Sequence, residues 1–449
     1  MKSVSKCILT ALAVCMIFQF VVTPMAVAQD LNDPSPDAQA KQRMAILIGQ
    51  LRAATERELQ EGQTTVDDRG RRLFVGETAA KMRALHDETA KQVDELIARP
   101  ARQRQTAVDI AASFAADPSI ARALGQGLAR GSIEYNHTSK SPYNESVPVE
   151  IYRSGAAQFE ISALNDEILQ FGPRPLTDEQ ESPVALDLTP RFRQADLLGQ
   201  VRRFLGRRGG NLNLNALTTR VSDKDGLVYF FRWEDESREV AGAHPFVQVG
   251  ITAGGEVVSY TNTLGLPDSP APFSIARKQA GTVRFLPATY GASLPRAAAT
   301  IAGVYNFANN GNYYTQYGPS AYWWTTLNEG YCGHIGSCVP AYMKYTYESQ
   351  NLSNYALWSH FGYDSGYGTH YVFIPRINAT TRQSFYQVVY NGGSTYSFSI
   401  DQLSYSDVFV QTSSTRFYAM GGTWLYDTPW GWGTPAGKKV GFDEIRIIY

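Results

Sequence analysis

The sequence has 449 residues, with 41 Lys and Arg against 42 Asp and Glu and a formal net charge of −1. That balance excludes the concentrated basic surface that phosphate neutralisation needs, so no nucleic-acid partner is expected. The length allows two or three domains of ~100–200 residues, more than one buried core is expected to fill.

In chain order, residues 1–28 have the pattern of an export signal. Lys2 and Lys6 form a basic start, Ile8 to Val22 an apolar run, and Ala26-Val27-Ala28 a small-x-small cleavage site before Gln29. Leu12-Ala13-Val14-Cys15 offers a lipid-attachment box as the minor alternative. No later stretch approaches the ~20 apolar residues of a membrane span. The expectation is therefore a secreted, extracellular chain of bacterial type without a transmembrane span.

Residues 29–146 read as a helical segment. Met44, Ile46, Leu47 and Leu51, then Leu85, Val93, Leu96 and Ile97, recur at helical spacing with charges of both signs between them. From Val147 the period changes to two. Val149 to Tyr152, Phe159 to Leu164 and Ile168-Leu169 read as short strands joined by Ser154-Gly155 and Asn165-Asp166-Glu167. Leu186 to Arg207 is expected to be a helix with Leu188, Phe192, Leu197, Val201 and Leu205 on one face, and Val228 to Trp233, Phe246 to Ile251 and Val257 to Tyr260 a following meander. A helix packed on an antiparallel sheet makes an α+β unit.

Within that unit, Asp225-Gly226-Leu227-Val228-Tyr229-Phe230-Phe231-Arg232-Trp233, Phe246-Val247-Gln248-Val249-Gly250-Ile251 and Gly255-Glu256-Val257-Val258-Ser259-Tyr260 resemble PepSY-type propeptide domains. The resemblance spans residues 147–265. It implies an α+β module of the kind found beside secreted peptidases, hence a secreted peptidase as one candidate partner.

Leu266-Pro267-Asp268-Ser269-Pro270-Ala271-Pro272 opens a linker taken to run from 266 to 303, since proline disfavours both helix and central strand. Residues 304–449 differ in kind: 15 charges in 146 residues, but 6 of the 7 Trp and 20 of the 26 Tyr. Few charges and many aromatics suit the short strands of a sandwich, with candidates at 343–347, 354–361, 369–374, 383–390, 396–400, 408–412 and 441–449.

This region resembles the golvesin and xanthan-lyase carbohydrate-binding-like domain. The likeness runs through Gly330-Tyr331-Cys332-Gly333, Met343-Lys344-Tyr345-Thr346-Tyr347, Asn354-Tyr355-Ala356-Leu357-Trp358, Ser384 to Gly393, Phe398 to Gln402 and Phe442 to Ile447. It implies an all-β, jelly-roll-like sandwich appended to secreted proteins. The sequence departs from the pattern at Cys332, where an aromatic is usual, and in the insertion Trp424 to Gly433. The fold class expected is thus multidomain: a helical N-terminal segment, a PepSY-like α+β domain and a C-terminal β-sandwich that folds by itself.

Cys332 and Cys338, the two cysteines beyond the signal, are expected to form a disulfide in an oxidising compartment, with Gly333 and Gly336 permitting the bend. Zinc held by Cys332, His334 and Cys338 is the rival and lacks a fourth ligand, so no metal or other cofactor is expected. No His-Glu-x-x-His, nucleophile elbow or Walker loop occurs. A Cys332 nucleophile with His360 or His370 as base and Asp364 as orienting group needs a free thiol. The acids Asp401, Asp407, Asp427, Asp443 and Glu444 read as turn and capping residues rather than a glycosidase pair.

The function expected is secreted and non-catalytic: binding of an extracellular polysaccharide or cell-wall glycan by the C-terminal sandwich, with a hydrolase or a peptidase regulator as alternatives. The candidate ligand-binding residues are Trp424, Trp430 and Trp432, then Trp358, Tyr363 and Tyr367. An exposed Trp pair is costly in water. Trp430 and Trp432 therefore either stack on a sugar ring or close the sandwich as a lid.

Overall fold

The computed structural model describes residues 36–66, 72–125, 132–208, 212–238, 244–268, 303–306, 314–327, 330, 342–359, 367–432, 435 and 437–448. The expected signal at 1–28, linker residues 269–302, the Cys332–Cys338 disulfide, His360, Asp364 and Tyr363 lie outside the described residues, as does the side chain of Trp432.

Helix α1 (Pro36–Glu61) leads through a small hairpin, β1 (Thr64–Val66) and β2 (Arg72–Phe74), into α2 (Gly76–Ile97), α3 (Ala101–Ala115) and the single turn α4 (Arg122–Gly125). Met82, His86, Thr89, Ala90 and Val93 give α2 one buried stripe at three- and four-residue spacing. Pro100 drives the preceding Arg99 out of helical geometry, so α2 stops at Ile97 and α3 restarts at Ala101. At that elbow Arg99 grips the buried Glu150 carboxylate through Nε (2.9 Å) and Nη2 (2.6 Å) and reaches Asp166 at 2.8 Å.

Two copies of one plan follow. Strands β3 (Glu134–Lys140), β4 (Pro148–Arg153), β5 (Ala157–Ser162) and β6 (Ile168–Pro173) form a meander after α3. Strands β7 (Thr218–Lys224), β8 (Val228–Glu234), β9 (Phe246–Thr252) and β10 (Val257–Asn262) form another after α5 (Gln194–Arg207). The last strands pair antiparallel, Phe171 opposite Tyr260, closing one eight-stranded sheet in the order β3-β4-β5-β6-β10-β9-β8-β7. Helices α3 and α5 share one face of it, where Phe114 meets Phe204, Phe171 and Tyr260 with ring centroids 5.2–5.7 Å apart.

Two sequence expectations change here. β3 lies inside the segment 29–146 expected to be helical, because its pairing with β4 is fixed by the sheet and not by its own weak alternation. The helix expected over 186–207 begins only at Gln194. Thr189-Pro190 disfavours helical geometry at the residue before the proline, and Phe192 ends 41% exposed, off the buried stripe.

The C-terminal strands are β11 (Gly303–Asn306), β12 (Tyr314–Tyr317), β13 (Trp324–Leu327), β14 (Tyr342–Tyr347), β15 (Tyr355–Ser359), β16 (Tyr367–Ile374), β17 (Ser384–Tyr390), β18 (Ser394–Ile400), β19 (Val408–Gln411), β20 (Phe417–Tyr418), β21 (Gly422–Tyr426), β22 (Lys439–Phe442) and β23 (Glu444–Ile448). They form the sheets β11-β23-β16-β19, with β20 alongside β16, then β12-β15-β21-β17-β18, and the three-stranded β13-β14-β22. The chain is thus mostly β, in several sheets with few helices.

The core of the C-terminal sheets is continuous with that of the eight-stranded sheet. Tyr143, Val149, Ile151, Leu169 and Phe246 of the eight-stranded sheet share one apolar core with Tyr371, Val372, Phe373, Phe409, Ile445 and Ile447. Polar side chains add to the joint. Gln170 Nε2 donates to the Phe409 carbonyl (2.8 Å), Gln248 Nε2 to Ser406 (2.7 Å), Lys224 Nζ to Gln402 (2.6 Å) and Arg153 Nη2 to Ser413 (2.6 Å). One continuous core thus crosses the expected boundary before 304–449, and the eight-stranded sheet's second face is buried under residues 402–413.

Candidate functional site

Of the tryptophans named from the sequence, Trp358, Trp424 and Trp430 are structural. Trp424 is 0% exposed, Trp358 1% and Trp430 3%, while Tyr367 is 4% exposed. Trp358 Nε1 donates to the Asp443 carbonyl (3.1 Å), and Trp430 Nε1 donates to the Asp178 carbonyl (3.1 Å) with its ring edge-on to Phe385. Trp430 therefore has the lid role, facing the loop after β6 rather than a ligand. These four rings do not form one surface and leave no free face for a sugar.

The catalytic alternatives fare similarly among the described residues. His370 is fully buried between Thr412 Oγ1 (2.8 Å) and Thr423 Oγ1 (2.7 Å), and burial lowers its pKa to about 3. Such a neutral imidazole is held as a core hydrogen-bonding group. Asp427 accepts the backbone N–H groups of Ser353 (3.2 Å) and Asn354 (2.7 Å), with burial raising it to about 6, and Asp401 pairs with Arg382. No group of three or more His, Cys, Asp or Glu among the described residues is placed to hold a metal ion. No described helix is long and apolar enough to cross a membrane.

What the sequence reading missed lies on β13-β14-β22. Successive residues along an extended strand face opposite sides, and Trp323 and Trp324 separate in this way. Trp323 turns inward, edge-on to Phe442 at 4.9 Å, with Val440 and Phe442 in the shared core. Trp324 turns outward. It pairs in register with Tyr345, and the two rings stack at 5.6 Å and 19°. Tyr347, two residues along the same face, stands edge-on to Trp324 at 5.1 Å and to Tyr345 at 6.2 Å and is 42% exposed. Three large rings thus form a contiguous, partly exposed patch.

One rim of the patch is polar. Lys439, opposite Tyr347, brings Nζ to 5.6 Å from the Tyr345 ring centre and donates to Asn378 Oδ1 at 3.0 Å. Asn378 Nδ2 donates in turn to Thr326 Oγ1 at 2.9 Å. Gly441, opposite Tyr345, lets the 375–379 loop settle on the sheet: a Cβ there would lie 2.7 Å from the Ala379 Cβ. The patch is a shelf with an aromatic wall and an amide–ammonium edge. Tyr345 and Tyr347 stood inside the resemblance and Trp324 in a double Trp, so period-two alternation was the available signal.

A second concavity, of about 1060 Å³, lies between α2, β3 and the β17–β18 hairpin. Along α2 its wall carries Arg83, Asp87, Lys91 and Glu95 at four-residue spacing, the alternation of a solvated helix face. Asp94 pairs with Arg416 (2.9 Å), and Arg104 lies over the Tyr135 ring at 4.4 Å. Its charges are balanced and largely engaged, which gives it no preference for one ligand class.

No family model and no curated protein matches the chain. Among solved structures, the chain is similar to an exo-β-1,3-galactanase from Phanerochaete chrysosporium at 8% identity, covering 70% of this chain and 67% of that one with a TM-score of 0.22. It is also similar to a Paenibacillus xanthan lyase at 10% identity with a TM-score of 0.24; 76% of this chain aligns, but it spans only 40% of the lyase. Superpositions this loose carry no argument about activity or ligand.

Proposed function

We propose that the protein is an exported, non-catalytic glycan-binding protein that holds a saccharide on the Trp324–Tyr345–Tyr347 shelf. The observation that carries this reading is the outward-facing trio itself. Aromatic surface left in water costs ~25 cal/mol per Å², and monomers seldom expose contiguous apolar patches without a use for them. The C–H face of a pyranose covers such rings while its hydroxyls stay hydrated or bond to groups such as Asn378 and Thr326. The described residues supply a stacking wall with polar groups beside it and no organised nucleophile or acid–base pair, which favours binding over turnover.

The test is a polysaccharide-binding panel run on the intact chain and on the triple variant Trp324→Ala, Tyr345→Ala, Tyr347→Ala. Affinity for the bound glycan should fall at least ~tenfold, about 1.4 kcal/mol. The melting temperature should move by no more than ~2 °C, because the rings lie outside the shared core. A triple variant that binds as the parent does, or a parent that binds no glycan, removes this reading.

A further inference from the structure

Resting on the glycan reading, we infer that the shelf selects acidic saccharides, polymers bearing uronate carboxylates, through Lys439. Among the described residues no carboxylate lies within ion-pair distance of Lys439, whereas Arg99, Arg382 and Arg416 each have one. An ammonium has three donors. Asn378 Oδ1 takes one at 3.0 Å, and two stay available beside the rings. That same contact fixes the long side chain, so a ligand loses little further rotamer freedom in using it.

Position adds the specificity. Nζ lies over the Tyr345 ring, 5.6 Å from its centre. A pyranose held beside it on the aromatic wall would bring its exocyclic group within reach of that ammonium. A hydroxymethyl group there receives an ordinary hydrogen bond, whereas a carboxylate receives a charge-assisted one, roughly twice as strong. The shelf edge is therefore cationic in a chain whose net charge is −1.

The experiment compares one polymer in two charge states: polygalacturonate and its fully methyl-esterified form, with alginate and carboxyl-reduced alginate as a second pair. The intact chain should bind each acidic form roughly fivefold more tightly than its neutral counterpart, and 0.5 M NaCl should erase the difference. Lys439→Met should bind both forms alike at the neutral-form affinity, and Lys439→Arg should restore the preference. Unchanged melting curves for both variants exclude a folding effect. Equal binding of the two forms by the parent, or a preference that survives Lys439→Met, overturns the inference. Binding of neutral glycans alone would do so too, while leaving the proposed function standing. Failure to bind any polymer, acidic or neutral, removes both.

Discussion

Glu160 is 3% exposed on β5, among the groups that join the eight-stranded sheet to the C-terminal strands, and no hydrogen-bond partner meets its Oε1 among the described residues. Burial alone pushes its carboxyl up to about 8. The folded state then holds a proton that the unfolded chain releases near pH 4.5, so stability is greatest below that value and falls as pH rises toward 8. Glu160→Gln keeps the shape and removes the titration. Its stabilising effect should be near zero at pH 4 and grow to the order of 3–5 kcal/mol at pH 8.5, read from urea midpoints. A parent protein whose midpoint rises across that range would contradict it. Trp424, fully buried on β21, provides the residue-scale control for the shelf: Trp424→Ala should cost ~3–5 kcal/mol and leave glycan affinity per folded molecule unchanged.

A buried imidazole helps to hold helix α2 to the C-terminal sheets. His86 Nε2 accepts the backbone N–H of Tyr418 at 3.2 Å, and its ring sits among Tyr367, Tyr390 and Phe417 at 4.6–6.4 Å. Burial lowers its pKa below the ordinary value, so the neutral form is the one held. Near the end of the same helix Asp94 pairs with Arg416 at 2.9 Å. His86→Ala orphans the Tyr418 N–H and opens a cavity, which should cost ~2–4 kcal/mol. It should also expose the α2–α3 elbow at Ala98–Ala101 to limited proteolysis well before the rest of the chain. Equal protection of the elbow in parent and variant would show that α2 is held by other contacts.

At the scale of the whole molecule, burial on both faces governs the eight-stranded sheet. Strands β5, β6, β9 and β10 are buried at every residue, with helices over one face and residues 402–413 over the other. Cleavage anywhere in 269–302 should therefore yield two fragments that co-elute under native conditions and separate only in denaturant. Residues 304–449 expressed alone should expose the face carrying Phe409 and Tyr371 and aggregate or bind hydrophobic dye. Clean migration of that fragment as a folded monomer would restore an autonomous C-terminal module.

Local pattern located part of the elements: β14, β17 and β19 fall within about two residues of the spans read at 343–347, 383–390 and 408–412, whereas β3, β7, β11 to β13, β20 and β21 were not read as strands. The helix-then-meander order read over 186–260 is present, with the helix starting only at Gln194, since period and turn residues act over a few positions. Those signals could not show what covers the far side of a sheet. Gln158, Gln170 and Gln248 look like residues bound for water, yet each meets a carbonyl of residues 402–413. The site divided in the same way. Abundance of aromatics in 304–449 belonged to the sequence, but which rings face out depended on strand pairing. Trp358, Trp424 and Trp430 went to the interior and Trp324, Tyr345 and Tyr347 to the shelf because burial is set by neighbours distant in the chain, which local alternation does not encode.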